Sequence, residues 1–146
     1  MVLILRKREF EELVDHCRGS SPVEACGVLV GMVCAQARLV KRVFKARNVL
    51  NSPSAYQIDP EELLRFFLQA ERDSMEMLGF YHSHPFWAAK PSRADESSAY
   101  YPGYSYLIYS IPLNELRSYV WKGNKFVSES VEIVRSLPSS KGCRFG

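Results

Sequence analysis

The chain has 146 residues, the length of one typical domain, and 47% of them are hydrophobic, so it is expected to bury an ordinary core. Its 19 basic and 16 acidic residues give a net charge of +3, which is too balanced to indicate a dedicated nucleic-acid-binding protein. No apolar run approaches the roughly 20 residues of a membrane-spanning helix, and the apolar stretch 2–5 is too short for a signal peptide, so a cytoplasmic protein is expected.

Hydrophobic spacing in the first half of the chain predicts a strand, a helix, a strand hairpin and a second helix. The first four elements are a strand at 2–5, a helix at 8–17, and hairpin strands at 25–34 and 39–46. Pro60 then begins a helix that ends near Ser74, with Asp59 as its cap. The basic residues of 38–47 indicate either a partner surface or a solvated strand face, and the solvated face is favoured.

The second half of the chain is richer in strands. It predicts a buried strand at 77–82, a short helix that begins near Ser92, and strands at 104–111, 115–121 and 126–134. The fold class is therefore α/β of the mixed α+β kind, with helices flanking a mixed sheet. Residues 1–134 form one domain, and the polar stretch 135–146 is predicted to be a flexible tail.

The four cysteines show no C-x-x-C spacing. Three of them stand in apolar or helical surroundings, which favours buried or unreactive thiols over a disulfide framework. The four are Cys17, Cys26, Cys34 and Cys143.

Two of the three histidines stand two residues apart, in the segment GFYHSHPFWAAKPSRAD at 79–95. Residues i and i+2 of a strand point to the same face, so His82 and His84 can converge on one ion. Pro85 follows at once and ends the strand. Each histidine could instead be an ordinary core-edge residue hydrogen-bonded to a carbonyl.

Ser92 and Asp95 lie three residues apart at a predicted helix start, on one helical face. A Ser-x-x-Asp start also forms a capping box, so this pair taken alone favours a structural role. Two imidazoles and one carboxylate, however, make a three-ligand set that leaves the fourth zinc position to water. The combined H-x-H-P and S-x-x-D pattern therefore favours a metal site.

A hydrolytic metal site also needs a base that takes the proton of the attacking water. Glu24 is the leading candidate, because it lies at the mouth of an apolar strand where an unpaired carboxylate is costly to bury. Alternatively, Glu24 sits idle at an exposed strand end. Glu71, Asp73 and Glu96 are weaker candidates.

These motifs together resemble the JAMM (MPN-plus) metalloprotease family, especially its short prokaryotic members. The matching segments are PVEACGVLVG at 22–31, the 79–95 segment and YLIYS at 106–110, with weaker support from YQIDPE at 56–61 after Asn48. The resemblance implies a curved mixed sheet between helices, similar to that of cytidine deaminases. A deaminase itself is disfavoured, because its H-x-E and P-C-x-x-C motifs are absent from the sequence.

The resemblance also implies a reaction and a role for each site residue. His82, His84 and Asp95 would hold one Zn²⁺ ion, Glu24 would act as the general base, and Ser92 would hydrogen-bond the developing oxyanion. The reaction would be hydrolysis, by zinc-activated water, of the amide bond after the C-terminal Gly-Gly of a ubiquitin-like modifier or β-grasp sulfur carrier. The family offers a second possibility, a non-catalytic MPN-type scaffold that binds such a partner. No nucleic-acid or membrane partner is expected, and a homodimer is left open.

Two features near the site keep alternatives open. Phe86 and Trp87 make the loop after the histidines apolar, and they could form a wall for the Gly-Gly tail or only pack the loop. Cys26 could be a second nucleophile or a redox gate, but a small buried residue is favoured.

Overall fold

The computed structural model describes residues 1–139, 141 and 143 of the chain. Its ten elements follow the predicted order, which confirms the mixed α+β class. None of the helices in this described part is long and apolar enough to cross a bilayer. In chain order the elements are β1 Val2–Arg6, α1 Lys7–Ser20, β2 Cys26–Cys34, β3 Ala37–Ala46, α2 Pro60–Arg72, β4 Glu76–His84, α3 Arg93–Ser98, β5 Ser105–Ser110, β6 Glu115–Trp121 and β7 Phe126–Val134.

The seven strands form one mixed sheet that curls into a closed barrel with the order β1-β3-β2-β4-β5-β6-β7. Strand β1 closes it by pairing in parallel with both β3 and β7. Strands β4 and β5 are also parallel, and the remaining pairs are antiparallel. The curved sheet that the family resemblance implies therefore bends far enough for its two ends to meet.

Helices α1 and α2 pack against opposite faces of the sheet, and this places the site. Leu13 of α1 belongs to the same buried cluster as Tyr81 of β4. Ala70 of α2 belongs to a second cluster that contains Phe80. Because side chains alternate along a strand, His82 lies on the same face as Phe80, towards α2.

Helix α2 begins at Pro60 with Asp59 as its N-cap residue, as predicted, but the cap does not use the side chain. The carboxylate of Asp59 makes no capping hydrogen bond. Its backbone carbonyl instead accepts from the N–H of Leu63 at 2.9 Å. Because Pro60 has no N–H to satisfy, the first turn depends less on a side-chain acceptor.

The prediction of unreactive thiols is wrong for two of the four cysteines, because a disulfide joins Cys34 to Cys143. Their Cα atoms are 4.4 Å apart although 109 positions separate them in sequence, so local spacing could not predict the pair. Cys17 and Cys26 are free and buried, as predicted. Residues 140, 142 and 144–146 of the tail lie outside the described residues, so its flexibility stays a prediction.

The basic strand is only partly a solvated face. Arg42, Lys45 and Arg47 are exposed, as expected for charged residues. Arg38 is the exception, since its side chain is largely buried and lies 3.4 Å from the carboxylate of Glu129. This pair helps to hold β3 against the strands at the opposite end of the chain.

Candidate metal centre

Three ligand-type side chains converge at one end of the sheet. The Nε2 atoms of His82 and His84 are 3.2 Å apart. Each lies 3.1 Å from a different carboxylate oxygen of Asp95. All three residues are buried, and one ligand atom from each lies within 4.8 Å of the others. The structure thus brings the three predicted metal ligands together.

The end of β4 and the start of α3 position these ligands. His84 is the last residue of β4, and His82 shares its face by strand alternation. Ser92 is the N-cap of α3, and its Oγ accepts from the N–H of Asp95 at 3.0 Å. The Asp95 carboxylate accepts in return from the Ser92 N–H at 2.9 Å. The capping box is therefore present, and it also aims the carboxylate at the imidazoles.

The two histidines are oriented by different contacts. Nδ1 of His84 lies 2.8 Å from the carbonyl oxygen of Ala88, which accepts a hydrogen bond from it. Nδ1 of His82 is buried and has no hydrogen-bond partner among the described residues. The ring of Tyr56 instead stacks on the His82 ring, with centroids 4.5 Å apart and planes 25° from parallel.

The electrostatics of the cluster suit a divalent cation. Burial alone would raise the pKa of Asp95, but the charge and hydrogen bonds of His82, with further hydrogen bonds from His84 and the Ser92 N–H, hold that pKa well below its usual value. Asp95 is therefore an ionised carboxylate in a buried place. Two imidazole nitrogens and one carboxylate are the donor types that zinc sites use, so the residues fit such an ion.

Glu24 lies two residues before β2, the strand that pairs with β4. Cys26 pairs with His82, and the Ser83 N–H donates to the Ala25 carbonyl at 3.0 Å. Glu24 itself precedes these paired residues, and its carboxyl is close enough to feel the charge of Asp95. The residue is only 1% exposed, and its Oε1 has no hydrogen-bond partner in the described part of the chain.

The environment of Glu24 favours its neutral form. Burial is the main cause, and the negative charge of Asp95 is the second; together they raise the pKa of Glu24 to about 9. Glu24 is thus not exposed, and its role as a base stays a prediction. A buried carboxyl group whose pKa is strongly raised is a candidate for acid–base chemistry.

Asn48 connects Glu24 to the loop that follows β3. Its Nδ2 donates to the carbonyls of Glu24 at 3.1 Å and Ala55 at 2.9 Å. Its Oδ1 accepts from the N–H groups of Leu50 and Gln57, both at 3.1 Å. All four hydrogen-bonding positions of this side-chain amide are therefore used.

The family model for prokaryotic homologs of the JAB domain matches residues 6–122. The chain belongs to this family. It is a prokaryotic JAMM peptidase domain, as its motifs indicate, and its buried ligand cluster lies within the matched segment.

Characterised JAMM relatives and a solved structure cover nearly the whole domain. The desampylase of Haloferax volcanii is 37% identical over 128 residues, which are 84% of this chain and 90% of the relative. The CysO-cysteine peptidase of Mycobacterium tuberculosis is 32% identical over 136 residues, 91% of this chain and 92% of the relative. A solution structure from Desulfitobacterium hafniense has a TM-score of 0.85 and 34% identity, covering 92% of this chain and 94% of that one.

The other residues singled out in this JAMM sequence lie around the cluster in different ways. Phe86 and Trp87 are 57% and 49% exposed and contact each other edge to face. Burial is the largest cause that raises the pKa of Cys26 to about 12, so the group remains a thiol and fits the favoured role of a buried residue. Glu71 and Glu96 are exposed, and Asp73 forms an ion pair with Arg42 at 2.6 Å.

Sequence reasoning gave no role to Tyr56, Asn48 or the carbonyl of Ala88. The turn at Asn48 could have been predicted, because an asparagine just after a strand is typical of an Asx turn. No sequence pattern predicts the contact of Tyr56 with His82, because it depends on how a loop folds back over β4.

Proposed function

We propose that the protein is a zinc-dependent isopeptidase. Its substrate would be the amide bond after the C-terminal Gly-Gly of a ubiquitin-like modifier or β-grasp sulfur carrier, and it would act in the cytoplasm. The observation that carries the proposal is the buried His82, His84 and Asp95 cluster, with the proton-holding carboxyl of Glu24 just before the adjacent strand β2.

The three clustered residues would hold one Zn²⁺ ion per chain through Nε2 of each histidine and the carboxylate of Asp95. When bound, such an ion polarises a carbonyl group and lowers the pKa of water. The chain contributes a buried, ionised carboxylate that offsets part of the positive charge. It also holds the His84 ring in place through the Ala88 carbonyl.

Glu24 would move the proton during hydrolysis. A nearby cation favours its carboxylate form, which can accept a proton from the attacking water. A C–O bond would form at the carbonyl carbon first, and Glu24 would pass this proton to the nitrogen as the C–N bond breaks. No described residue hydrogen-bonds its Oε1, so within this part of the chain that oxygen has no competitor for the transfer.

Ser92 would stabilise the developing oxyanion. Its Oγ already accepts from the Asp95 N–H, so the hydroxyl hydrogen remains available to donate. A single donor of this kind contributes roughly 10²–10³-fold to kcat in other hydrolases. Capping and catalysis are thus compatible functions of one hydroxyl group.

The choice of substrate is supported by the relatives. The Haloferax protein is named a desampylase and the mycobacterial protein a CysO-cysteine peptidase. For this chain we infer a modifier conjugate, held with its extended tail beside the exposed rings of Phe86 and Trp87. Glycines would suit such a narrow approach, because they carry no side chain.

The test combines zinc-loaded protein with conjugates of β-grasp modifiers and follows the products by mass spectrometry. Wild type should release the modifier with its Gly-Gly carboxylate intact. Glu24→Gln should bind zinc but lose at least about 100-fold in cleavage, since acid–base catalysis contributes roughly 10²–10⁴-fold. His82→Ala should lose the metal itself. A stable complex with the modifier that is never cleaved when zinc is saturating would favour the scaffold function instead.

A further inference from the structure

The two histidines of the cluster differ in how their rings are held. A metal-binding histidine usually donates its second ring N–H to a carbonyl or carboxylate, which fixes the ring orientation. His84 follows this rule through the Ala88 carbonyl at 2.8 Å. The Nδ1 of His82 has no such partner within the described structure. Within the described chain, the orientation of His82 is therefore not set by a hydrogen bond at Nδ1.

The ring of Tyr56 supplies a contact of the right kind. It covers one face of the His82 ring at a centroid distance of 4.5 Å, with the planes 25° from parallel. A stacked ring resists tilting of the imidazole, and it leaves both ring nitrogens free. The stack therefore restrains the direction of Nε2 without competing for it.

The backbone around Tyr56 is anchored on both sides. The carbonyl of Ala55 accepts from Asn48 Nδ2, and the N–H of Gln57 donates to Asn48 Oδ1. The isolated bridge between Asn48 and Ile58 adds a third tie. Because the neighbours of Tyr56 are fixed, its ring can act as a rigid surface and not only as a loose cover.

We propose that Tyr56 is a positioning residue, whose ring holds the His82 imidazole in the orientation that binds the metal. The inference rests on the proposed zinc centre, but it concerns metal affinity and does not require that any conjugate is cleaved. The ring, and not the hydroxyl group, is the part that acts. Replacing it should cost roughly 10–100-fold in metal affinity, as for other groups that orient metal ligands.

The test measures zinc affinity by competition with a chromophoric chelator. Tyr56→Leu and Tyr56→Met, which fill space without a ring, should both bind zinc roughly 10–100-fold more weakly than wild type. Tyr56→Phe should stay within about threefold, because it keeps the stack. The visible spectrum of the cobalt-substituted protein should change in the first two variants and not in the third.

Tyr101→Leu is the matched control. Tyr101 lies on the same side of the sheet, but its ring contacts Phe80, with centroids 5.0 Å apart. Tyr101→Leu should therefore bind zinc with wild-type affinity. Thermal unfolding of each metal-free variant reports any loss of folding. Wild-type affinity in both Tyr56→Leu and Tyr56→Met, or an equal loss in Tyr56→Phe, would overturn the proposal. Failure of wild type itself to bind zinc would instead reject the proposed function.

Discussion

Glu24 carries a proton at neutral pH in the metal-free protein, and this makes the stability of the fold depend on pH. Its pKa is about 9 in the folded chain and close to the usual 4.5 when unfolded. Between these values the unfolded chain releases the proton and the folded chain keeps it. The contribution of Glu24 to stability is therefore complete below about pH 4.5 and is lost as pH rises towards 9.

The free energy of unfolding of metal-free protein should fall by up to ~1.4 kcal/mol per pH unit across this window. Denaturant titrations from pH 5 to pH 9 measure the slope. Glu24→Gln, which cannot ionise, should flatten it. An equal slope in wild type and variant would mean that other groups carry the dependence.

A contact between two residues can be predicted from the sequence when both belong to the same strand or helical turn. Strand alternation fixes the relation of His82 to His84, and one helical turn fixes that of Ser92 to Asp95. Both relations could therefore be predicted from spacing. The stack of Tyr56 on His82 could not, because it joins residues 26 positions apart through a loop without regular structure.

At the scale of elements, the start of α3 has two functions that one substitution can separate. Glycine is almost as good an N-cap as serine, costing only a few tenths of a kcal/mol, but it has no hydroxyl group. Ser92→Gly should therefore keep nearly the wild-type free energy of unfolding while cleavage falls roughly 10²-fold or more. Denaturant titration and conjugate cleavage are measured on the same preparation. Full cleavage by this variant would leave Ser92 with capping alone.

Strands β4 and β5 depend on a glycine at their contact. A Cβ on Gly79 would clash with the backbone of Ser105, its partner in the parallel register. Backbone atoms cannot move aside without separating the strands, so Gly79→Ala should lower the free energy of unfolding by roughly 1–3 kcal/mol.

Gly19 in α1 is the matched control for this change. Apart from the backbone of its own helix and its chain neighbours, no described atom lies within 4 Å of the Cβ it would gain, and alanine favours a helix. Gly19→Ala should thus be neutral or stabilising by up to ~1 kcal/mol. Denaturant unfolding compares the two variants, and a similar cost in both would contradict the role given to the β4–β5 contact.

The bounds of strands that have a clear hydrophobic pattern of their own could be predicted closely. The bounds of β6 and β7 match the expected 115–121 and 126–134. The closure of the barrel could not be predicted in this way. It depends on parallel pairing of β1 with both β3 and β7, partners that lie more than 30 and more than 120 positions away along the chain.

For the whole molecule, the disulfide between Cys34 and Cys143 joins the C-terminal segment to the end of β2. A crosslink that spans 109 positions lowers the conformational entropy of the unfolded chain. In the chain-entropy account this raises the free energy of unfolding by about 4–5 kcal/mol. Reduction should lower the free energy of unfolding by an amount of this order. The measurement is denaturant unfolding with and without a reducing agent.

Cys34→Ser provides the control, because reduction should then have no further effect. Thiol titration of the denatured wild-type protein should find two free thiols before reduction, those of Cys17 and Cys26, and four after it. Four thiols in the untreated protein would show that the bond does not form in solution.

The side-chain amide of Asn48 has a consequence for how this domain tolerates change. Exchanging its NH₂ for an oxygen, as in aspartate, would set an acceptor against the carbonyls of Glu24 and Ala55, where two donors now stand. The carbonyl groups of Glu24 and Ala55 would then both repel the oxygen atom that replaces the amide nitrogen. A difference of one atom, without any loss of bulk, would thus weaken the tie between Glu24 and the segment that carries Tyr56.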